Sequence, residues 1–144
     1  MKPMNEMKLT VLSRSSNESF VRVAVAAFVA QLDPTLEELN DIKTAVSEAV
    51  TNCIVHAYGE KLGLIHLTTK LTVGNEVEIR VKDRGCGIED IGRAMEPLFT
   101  TGDSERAGLG FAVMESFMDK LRVYSKPDKG TLVVMKKQLS LKNQ

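Results

Sequence analysis

Hydrophobic residues recur every three or four positions through the first part of the chain, as in amphipathic helices. Ser15 and Glu18 have the spacing of a capping box and predict a helix that runs to about Leu32. After a break at 33–34, Thr35 and Glu38 form a second capping box, which opens a long helix that ends by Gly59. The predicted buried stripe of this second helix consists of Leu36, Leu39, Ile42, Val46, Ala49 and Cys53.

The hydrophobic period then changes to two, which is typical of strands with one buried face. Residues 65–73 and 77–81 predict two strands that are joined by a hairpin turn at 74–75. Segments 121–125 and 131–138 predict a closing hairpin with its turn at 127–130, and 8–12 predicts an edge strand. The apolar residues that we expect to face inward on these strands include Ile65, Leu67, Leu71, Val73, Val77, Ile79 and Val81.

Two further helices are expected in the second half of the chain. Residues 88–95 predict a short helix within a glycine-rich stretch, and 110–121 predict an amphipathic helix. The inward residues of the latter would be Phe111, Val113, Met114, Phe117, Met118 and Leu121. Since the first helices precede the sheet, the order predicts an α+β fold: a two-layer α/β sandwich with helices on one face of a mixed, largely antiparallel sheet. We expect one domain over 1–144.

Composition narrows the classes of function. The 144 residues are 43% hydrophobic, and 19 Lys+Arg balance 19 Asp+Glu, so neither a nucleic-acid nor a membrane surface is indicated. The longest apolar run, 23–30, is too short to span a bilayer, and no apolar signal segment opens the sequence. Cys53 and Cys86 lack metal-binding spacing and are interpreted as inert small side chains. These features predict a cytoplasmic protein without direct contact to nucleic acid or membrane.

The long helix carries the first candidate cluster. Glu48 and Asn52 are one turn apart on the same face, beside the apolar stripe, and His56 continues the row. A carboxylate there can act as a base, and an amide oxygen can ligate Mg²⁺, which prefers oxygen ligands. A solvated polar helix face explains the same pattern when it is taken alone.

The second cluster is Asp83-Arg84-Gly85-Cys86-Gly87 at the end of a predicted strand. Asp83 is in phase with the buried residues before it, so its carboxylate is predicted to point inward, where it needs a hydrogen-bond donor. The amino group of adenine is such a donor, and Gly85 and Gly87 would let the backbone approach a flat base. The competing interpretation is a salt-bridged aspartate before a turn.

The third cluster is Gly108-Leu109-Gly110, predicted to lie just before a helix, where backbone amides favour phosphate. The polar run that precedes it, including Arg106, would form a lid over a nucleotide. The fourth cluster, Gly130-Thr131, opens the last strand. An ordinary loop and an ordinary turn explain these two clusters equally well when each is taken alone.

Together and in this order, the clusters resemble the N, G1, G2 and terminal Gly-Thr motifs of the GHKL (Bergerat) ATPases, which include gyrase, Hsp90, MutL and histidine-kinase ATPase domains. This resemblance spans Ser47 to Thr131. The segments 17–20, 30–34, 47–52, 97–101 and 115–119 are similar to the SpoIIAB-type anti-sigma-F factors, over nearly the whole chain. That similarity implies a homodimer that binds a sporulation sigma factor (sigma F) when loaded with ATP and phosphorylates a serine of a SpoIIAA-like anti-anti-sigma protein.

The resemblance also implies roles for individual residues. Glu48 would be the catalytic base and Asn52 the Mg²⁺ ligand, while Asp83 would bind adenine. The residues implied to complete the ATP/ADP site are Gly85, Gly87, Thr101, Arg106, Gly108, Leu109, Gly110 and Thr131, the last acting through Asp83. Phe20 and Arg22 fall where the family contacts its protein partners.

The first helix supports a partner surface independently of the resemblance. Between Glu18 and Asp33 its only charged residue is Arg22, and a helix that is apolar all round is normally buried on more than one side. We therefore expect one side to pack on the core and the other to contact a second copy or another protein. The alternative is that Arg22 merely solvates an internal helix.

Three other functions remain open. In a pure binding module, ATP would set the conformation without phosphate transfer. A histidine-kinase fragment needs an exposed phosphoacceptor, yet His56 lies beside the proposed metal ligand and His66 on a predicted strand. An ATP-gated clamp of the gyrase or Hsp90 kind needs a transducer domain after the ATPase unit, and 13 residues follow Thr131.

Overall fold

The computed structural model describes residues 3–88 and 103–140, except for the side chains of 103–108. The elements of these ranges are β1 (Asn5–Leu12), α1 (Ser16–Val29), α2 (Leu36–Asn52), β2 (Leu64–Thr72), β3 (Glu76–Asp83), α3 (Asp103–Phe117), β4 (Lys120–Lys126) and β5 (Gly130–Gln138). A 3-10 turn (Ala30–Leu32) follows α1, and a π-helical segment (Cys53–Tyr58) continues α2.

The strands form one sheet in the order β1-β2-β3-β5-β4. Every neighbouring pair among these strands is antiparallel, including β3 and β5, so the mixed sheet that we predicted is wrong in that detail. The helices pack against one another, α2 touching both α1 and α3, and cover one face of the sheet. The predicted two-layer α+β sandwich is confirmed.

The core lies between the sheet and the helices. The strict alternation of β3 buries every second residue and ends with Asp83 on the same inward face as Val77. From α1 the core receives Val21, Val25 and Val29, all fully buried. Three residues that were predicted to face inward are instead exposed: Leu36 in the first turn of α2, Val73 after the last residue of β2, and Phe117 at the end of α3.

The two predicted capping boxes differ in outcome. Thr35 Oγ1 accepts from the Glu38 backbone N–H at 3.1 Å, and the Glu38 carboxylate accepts from the Thr35 backbone N–H at 2.8 Å, so this box is confirmed. Ser15 precedes α1 but makes no side-chain capping bond. Its backbone is itself helical, with φ −58° and ψ −31°, whereas a capping residue is normally extended. The capping box at Ser15 is therefore wrong.

Both predicted hairpin turns are present. Gly74 and Asn75 have φ values of 96° and 63°, which suits the tight connection between β2 and β3. Asp128 and Gly130 also have positive φ, at 62° and 95°, between β4 and β5. The turn chemistry therefore fixes the strand register at both hairpins.

The third helix begins at Asp103, well before the predicted start at Gly110, so the predicted loop before Gly110 is wrong. Each glycine in a helix costs about 1 kcal/mol relative to alanine. The helix nevertheless runs without a break through both Gly108 and Gly110. The helix also ends earlier than predicted: Phe117 is 37% exposed and Leu121 belongs to β4.

Apart from its first residue, the predicted short helix at 88–95 lies outside the described residues. Over the ranges that the structure does describe, the helices are all too short or too polar to span a membrane.

Candidate functional site

The first and third sequence clusters meet where α2 packs against α3. Glu48 and Asn52 are half-buried on α2, beside its buried stripe. A Cβ built on Gly110 of α3 would lie 3.2 Å from Glu48 Oε2 and 3.2 Å from both amide atoms of Asn52. Glycine at this position thus lets the α3 backbone approach a carboxylate and an amide closely.

The Asn52 amide is available to a ligand. Its Nδ2 is buried and has no hydrogen-bond partner among the residues that the structure describes. A half-turn of this amide about its last side-chain bond would place its oxygen, an acceptor, where the nitrogen now lies. Because a buried polar atom without a partner is costly, this amide fits a site that a ligand or ion completes.

Asp83 lies on the inward face at the end of β3 and is 4% exposed. Its Oδ1 accepts from the Gly85 backbone N–H at 2.9 Å, and its Oδ2 accepts from the Cys53 thiol at 3.4 Å. The backbone N–H of Thr131, its cross-strand partner on β5, also donates to the carboxylate. Burial raises the pKa of Asp83, and these donors oppose the rise.

Gly85 and Gly87 allow close packing of the chain against itself, which differs from the predicted approach to a base. A Cβ on Gly85 would overlap the Ala57 backbone, whose carbonyl accepts from Cys86 N–H at 3.0 Å. Gly87 has a φ of +74°, and a Cβ there would overlap the Lys126 carbonyl. Both glycines therefore fix the loop after β3 between the end of α2 and the β4–β5 turn.

Thr131 supports Asp83 through its backbone, while its hydroxyl has another partner. Thr131 Oγ1 lies 2.7 Å from Ser125 Oγ, which also accepts from the Ile88 backbone N–H at 2.9 Å. The threonine side chain thus ties β5 to β4 and to the loop after β3.

The predicted phosphate-binding residues are described in part. Thr101 lies outside the described residues, as do the side chain of Arg106 and the surroundings of Gly108. Gly108, Leu109 and Gly110 lie inside α3, where backbone N–H groups beyond the first turn are used by the helix. The prediction that they precede a helix start with free amides is therefore wrong for this conformation.

The predicted partner residues lie on α1. Phe20 is 54% exposed and Val23 is 58% exposed, on the side of the helix opposite Val21 and Val25. Arg22 donates to Ser19 Oγ at 3.0 Å and is paired with Glu18 at 3.6 Å, with 36% of its side chain exposed. One side of α1 is thus buried and the other presents apolar residues next to an arginine.

Sequence reasoning missed the contacts of the π-helical segment. Cys53 was interpreted as inert, but its thiol bonds to Asp83. Tyr58, to which we gave no role, accepts from the Arg84 backbone N–H at 2.7 Å and donates to the Leu64 carbonyl at 2.7 Å. The only available signal was the position of Cys53 directly after Asn52 on a stripe that faces the sheet.

The histidine-kinase alternative gains no support from the histidines. His66 lies in β2, with Nδ1 3.2 Å from Thr10 Oγ1 of the neighbouring strand. His56 lies in the π-helical segment. Neither is on a free-standing helix.

Comparison with known proteins identifies the family. Residues 13–137 match the model of the histidine kinase-like ATPase domain. An anti-sigma F factor of Thermoanaerobacter pseudethanolicus is 60% identical over 136 residues, which cover 94% of each chain. An anti-sigma F factor of Clostridium novyi is 55% identical over 137 residues, which cover 94% of this chain and 95% of the relative.

The chain belongs to the anti-sigma F factor family.

Solved structures agree with the fold of this family. The RsbU and RsbW domains of a Mycobacterium tuberculosis protein superpose with a TM-score of 0.72 at 21% identity, covering 97% of this chain and 34% of that one. The histidine kinase domain of a blue-light-activated kinase from Erythrobacter litoralis gives a TM-score of 0.55 at 18% identity, covering 85% of this chain and 61% of that one. At these identities the likeness concerns the fold alone.

Proposed function

We propose that this member of the anti-sigma F factor family binds ATP with Mg²⁺, inhibits a sigma F-like factor and phosphorylates a serine of an anti-anti-sigma protein. The observation that carries the proposal is the convergence at one place of the Glu48 carboxylate, the Asn52 amide and the close approach of Gly110. Asp83 is linked to the same helix end through Cys53, the residue after Asn52.

Asp83 is the proposed adenine acceptor. Its carboxylate is buried on the helix side of the sheet and already accepts from backbone and thiol donors. A carboxylate offers about four acceptor positions, so one remains for the amino group of adenine. An acceptor held in this way would distinguish adenine, which presents an amino group, from guanine, which presents a carbonyl there.

Asn52 is the proposed ligand of Mg²⁺. Among the described residues no cluster of three or more His, Cys, Asp or Glu side chains is arranged to hold a metal. Mg²⁺ typically keeps several waters and takes few protein ligands together with substrate phosphates. One amide oxygen at Asn52 fits that pattern, and the ion would neutralise charge on the phosphates.

Glu48 is the proposed general base. As the serine oxygen attacks the γ-phosphorus, an O–P bond forms, the bond to the β-phosphate oxygen breaks, and ADP leaves. The hydroxyl proton passes to the Glu48 carboxylate, which is half-buried and accessible beside Gly110. Glu48 thus needs to orient the serine and hold one proton.

The outer side of α1 is the proposed partner surface. Phe20 and Val23 are exposed, and Arg22 lies beside them with 36% of its side chain accessible. Aromatic residues and arginine are frequent at the centres of protein interfaces. A sigma factor, the serine substrate and a second copy of the chain are the partners proposed for this family member.

Two measurements test the proposal. Affinity capture with the purified protein in ATP and in ADP should retain a sigma factor mainly in ATP, and a phosphotransfer assay should place phosphate on a serine of the anti-anti-sigma protein. Capture without phosphotransfer would identify an ATP-regulated binding module. Equal capture in both nucleotides would contradict ATP-dependent inhibition.

A further inference from the structure

The π-helical segment after α2 is bonded to the end of β3 and to the loop that follows it. Cys53 Sγ lies 3.4 Å from Asp83 Oδ2 at the start of the segment. Near its end, Ala57 O accepts from Cys86 N–H at 3.0 Å, and Tyr58 bonds to the Arg84 N–H at 2.7 Å. Segments of π-helix are rare in proteins, but those that occur are often found at functional sites. This segment aligns α2 with the carboxylate of Asp83.

The thiol of Cys53 is a donor in this arrangement. Cys53 is 4% exposed, and its Sγ lies 3.4 Å from Asp83 Oδ2. An ionised carboxylate oxygen can only accept, so the thiol is the donor of this bond. Its S–H points to Oδ2, while Oδ1 is bound by the Gly85 N–H, so each carboxylate oxygen is fixed by a separate element.

We propose that Cys53 is a positioning residue for nucleotide recognition, because its thiol holds the Asp83 carboxylate in the orientation that accepts the amino group of adenine. This inference rests on the proposed function, in which Asp83 binds adenine. Without the thiol, the carboxylate keeps its backbone donors but can rotate about its side-chain bonds. A cysteine that only fills the core would have no such effect.

Three variants separate the two roles. Cys53→Ala removes the donor, Cys53→Ser keeps a donor in a smaller side chain, and Val50→Ala truncates a buried residue near the end of α2. Isothermal titration with ADP and Mg²⁺ should show about a three- to tenfold loss of affinity for Cys53→Ala, as expected for one neutral donor. The ADP affinities of Cys53→Ser and Val50→Ala should stay within about twofold of that of the parent protein.

A second measurement uses the protein without nucleotide. Carboxyl ¹³C NMR should give a higher pKa of Asp83 in Cys53→Ala than in the parent, with Cys53→Ser restoring it. Among the described residues, Tyr58 and Arg84 lie near Asp83, and Lys82, Tyr124, Lys126 and Lys129 line a cavity of about 430 Å³ with it. They are the same in all variants, so the differences report on the thiol.

The outcomes separate this inference from the proposed function. If Cys53→Ala binds ADP as tightly as the parent, or if Cys53→Ser loses as much affinity as Cys53→Ala, the positioning role is overturned. If Asp83→Asn also binds ADP normally, then the proposed adenine site itself is wrong. A loss in Asp83→Asn with parent-like Cys53→Ala would overturn the role of Cys53 alone.

Discussion

Replacing Asp83 by asparagine tests the proposed adenine site with the smallest change of shape. The amide must present its NH₂ group where one carboxylate oxygen was. The less costly position is Oδ2, because the Cys53 sulfur can turn from a donor into a weak acceptor, whereas the Gly85 N–H at Oδ1 cannot. The variant should therefore fold with its amide oxygen toward Gly85.

Nucleotide affinity should fall substantially in this variant. The adenine amino group loses a charged acceptor, and a hydrogen bond to a charged group contributes about 1.5–3 kcal/mol. That corresponds to about a tenfold to hundredfold weaker binding of ADP. At acidic pH the ADP affinity of the parent should approach that of the variant, because protonation of Asp83 removes the same acceptor. Since the pKa of Asp83 is raised, this should occur at a higher pH than for an ordinary aspartate.

The stability of the variant should move in the opposite direction. Burial raises the pKa of Asp83 in the folded state above its value in the unfolded state. The protonated group therefore stabilises the folded state fully below the unfolded pKa, and this stabilisation is lost as the pH rises through the folded pKa. At neutral pH the buried ionised carboxylate is thus a cost that a neutral amide lacks. The free energy of unfolding of Asp83→Asn at pH 7 should equal or exceed that of the parent.

Calorimetric titration with ADP and Mg²⁺, together with urea unfolding at pH 7, measures both effects. A matched control is Asp119→Asn, since Asp119 is exposed and accepts from Gln138 N–H at the far end of β5 from Thr131. Unchanged ADP affinity in a folded Asp83→Asn protein would refute the assignment. Loss of affinity in the Asp119 variant as well would point to a general disturbance of the sheet.

Three further changes test other parts of the site. Glu48→Gln should slow phosphotransfer by about 10²–10⁴-fold at unchanged nucleotide affinity, and a parent-like rate would exclude Glu48 as the base. Arg22→Ala should fold and bind ATP normally but weaken sigma-factor binding by about 2 kcal/mol or more. Arg14→Ala, at an exposed arginine, is the control, and full sigma-factor binding by Arg22→Ala would locate the partner surface elsewhere. Gly108→Ala should stabilise α3 by about 1 kcal/mol. If this helix must open to bind phosphates, the affinity for ATP should fall about fivefold, and an unchanged affinity would argue against opening.

The sheet could be predicted closely because most of its strands, from β1 to β4, alternate between more and less buried residues. The alternation of β3 correctly predicted that Asp83 points inward, like Val77, Ile79 and Val81. The turn residues, several of which have positive φ, correctly predicted both hairpins. The order of the strands could not be read in the same way, since the pairing of β3 with β5 is made between segments far apart in sequence.

The helices were harder to predict where local signals compete with the rest of the structure. Ser15 and Thr35 stand in the same sequence pattern, yet only Thr35 has the extended backbone that a cap requires. Gly108 and Gly110 suggested a loop, but α3 runs through them. The role of Cys53 depends on a bond to Asp83, a contact between two elements that no local pattern encodes.

The place of β5 in the sheet has a consequence for synthesis on the ribosome. It is the last strand of the described chain, and it inserts between β3 and β4. Until it emerges, β3 has an open edge, which is a site for aggregation, and Asp83 lacks the donor from Thr131. A nascent chain therefore cannot complete the proposed adenine site before β5 has emerged, so nucleotide binding would report that this strand is in place.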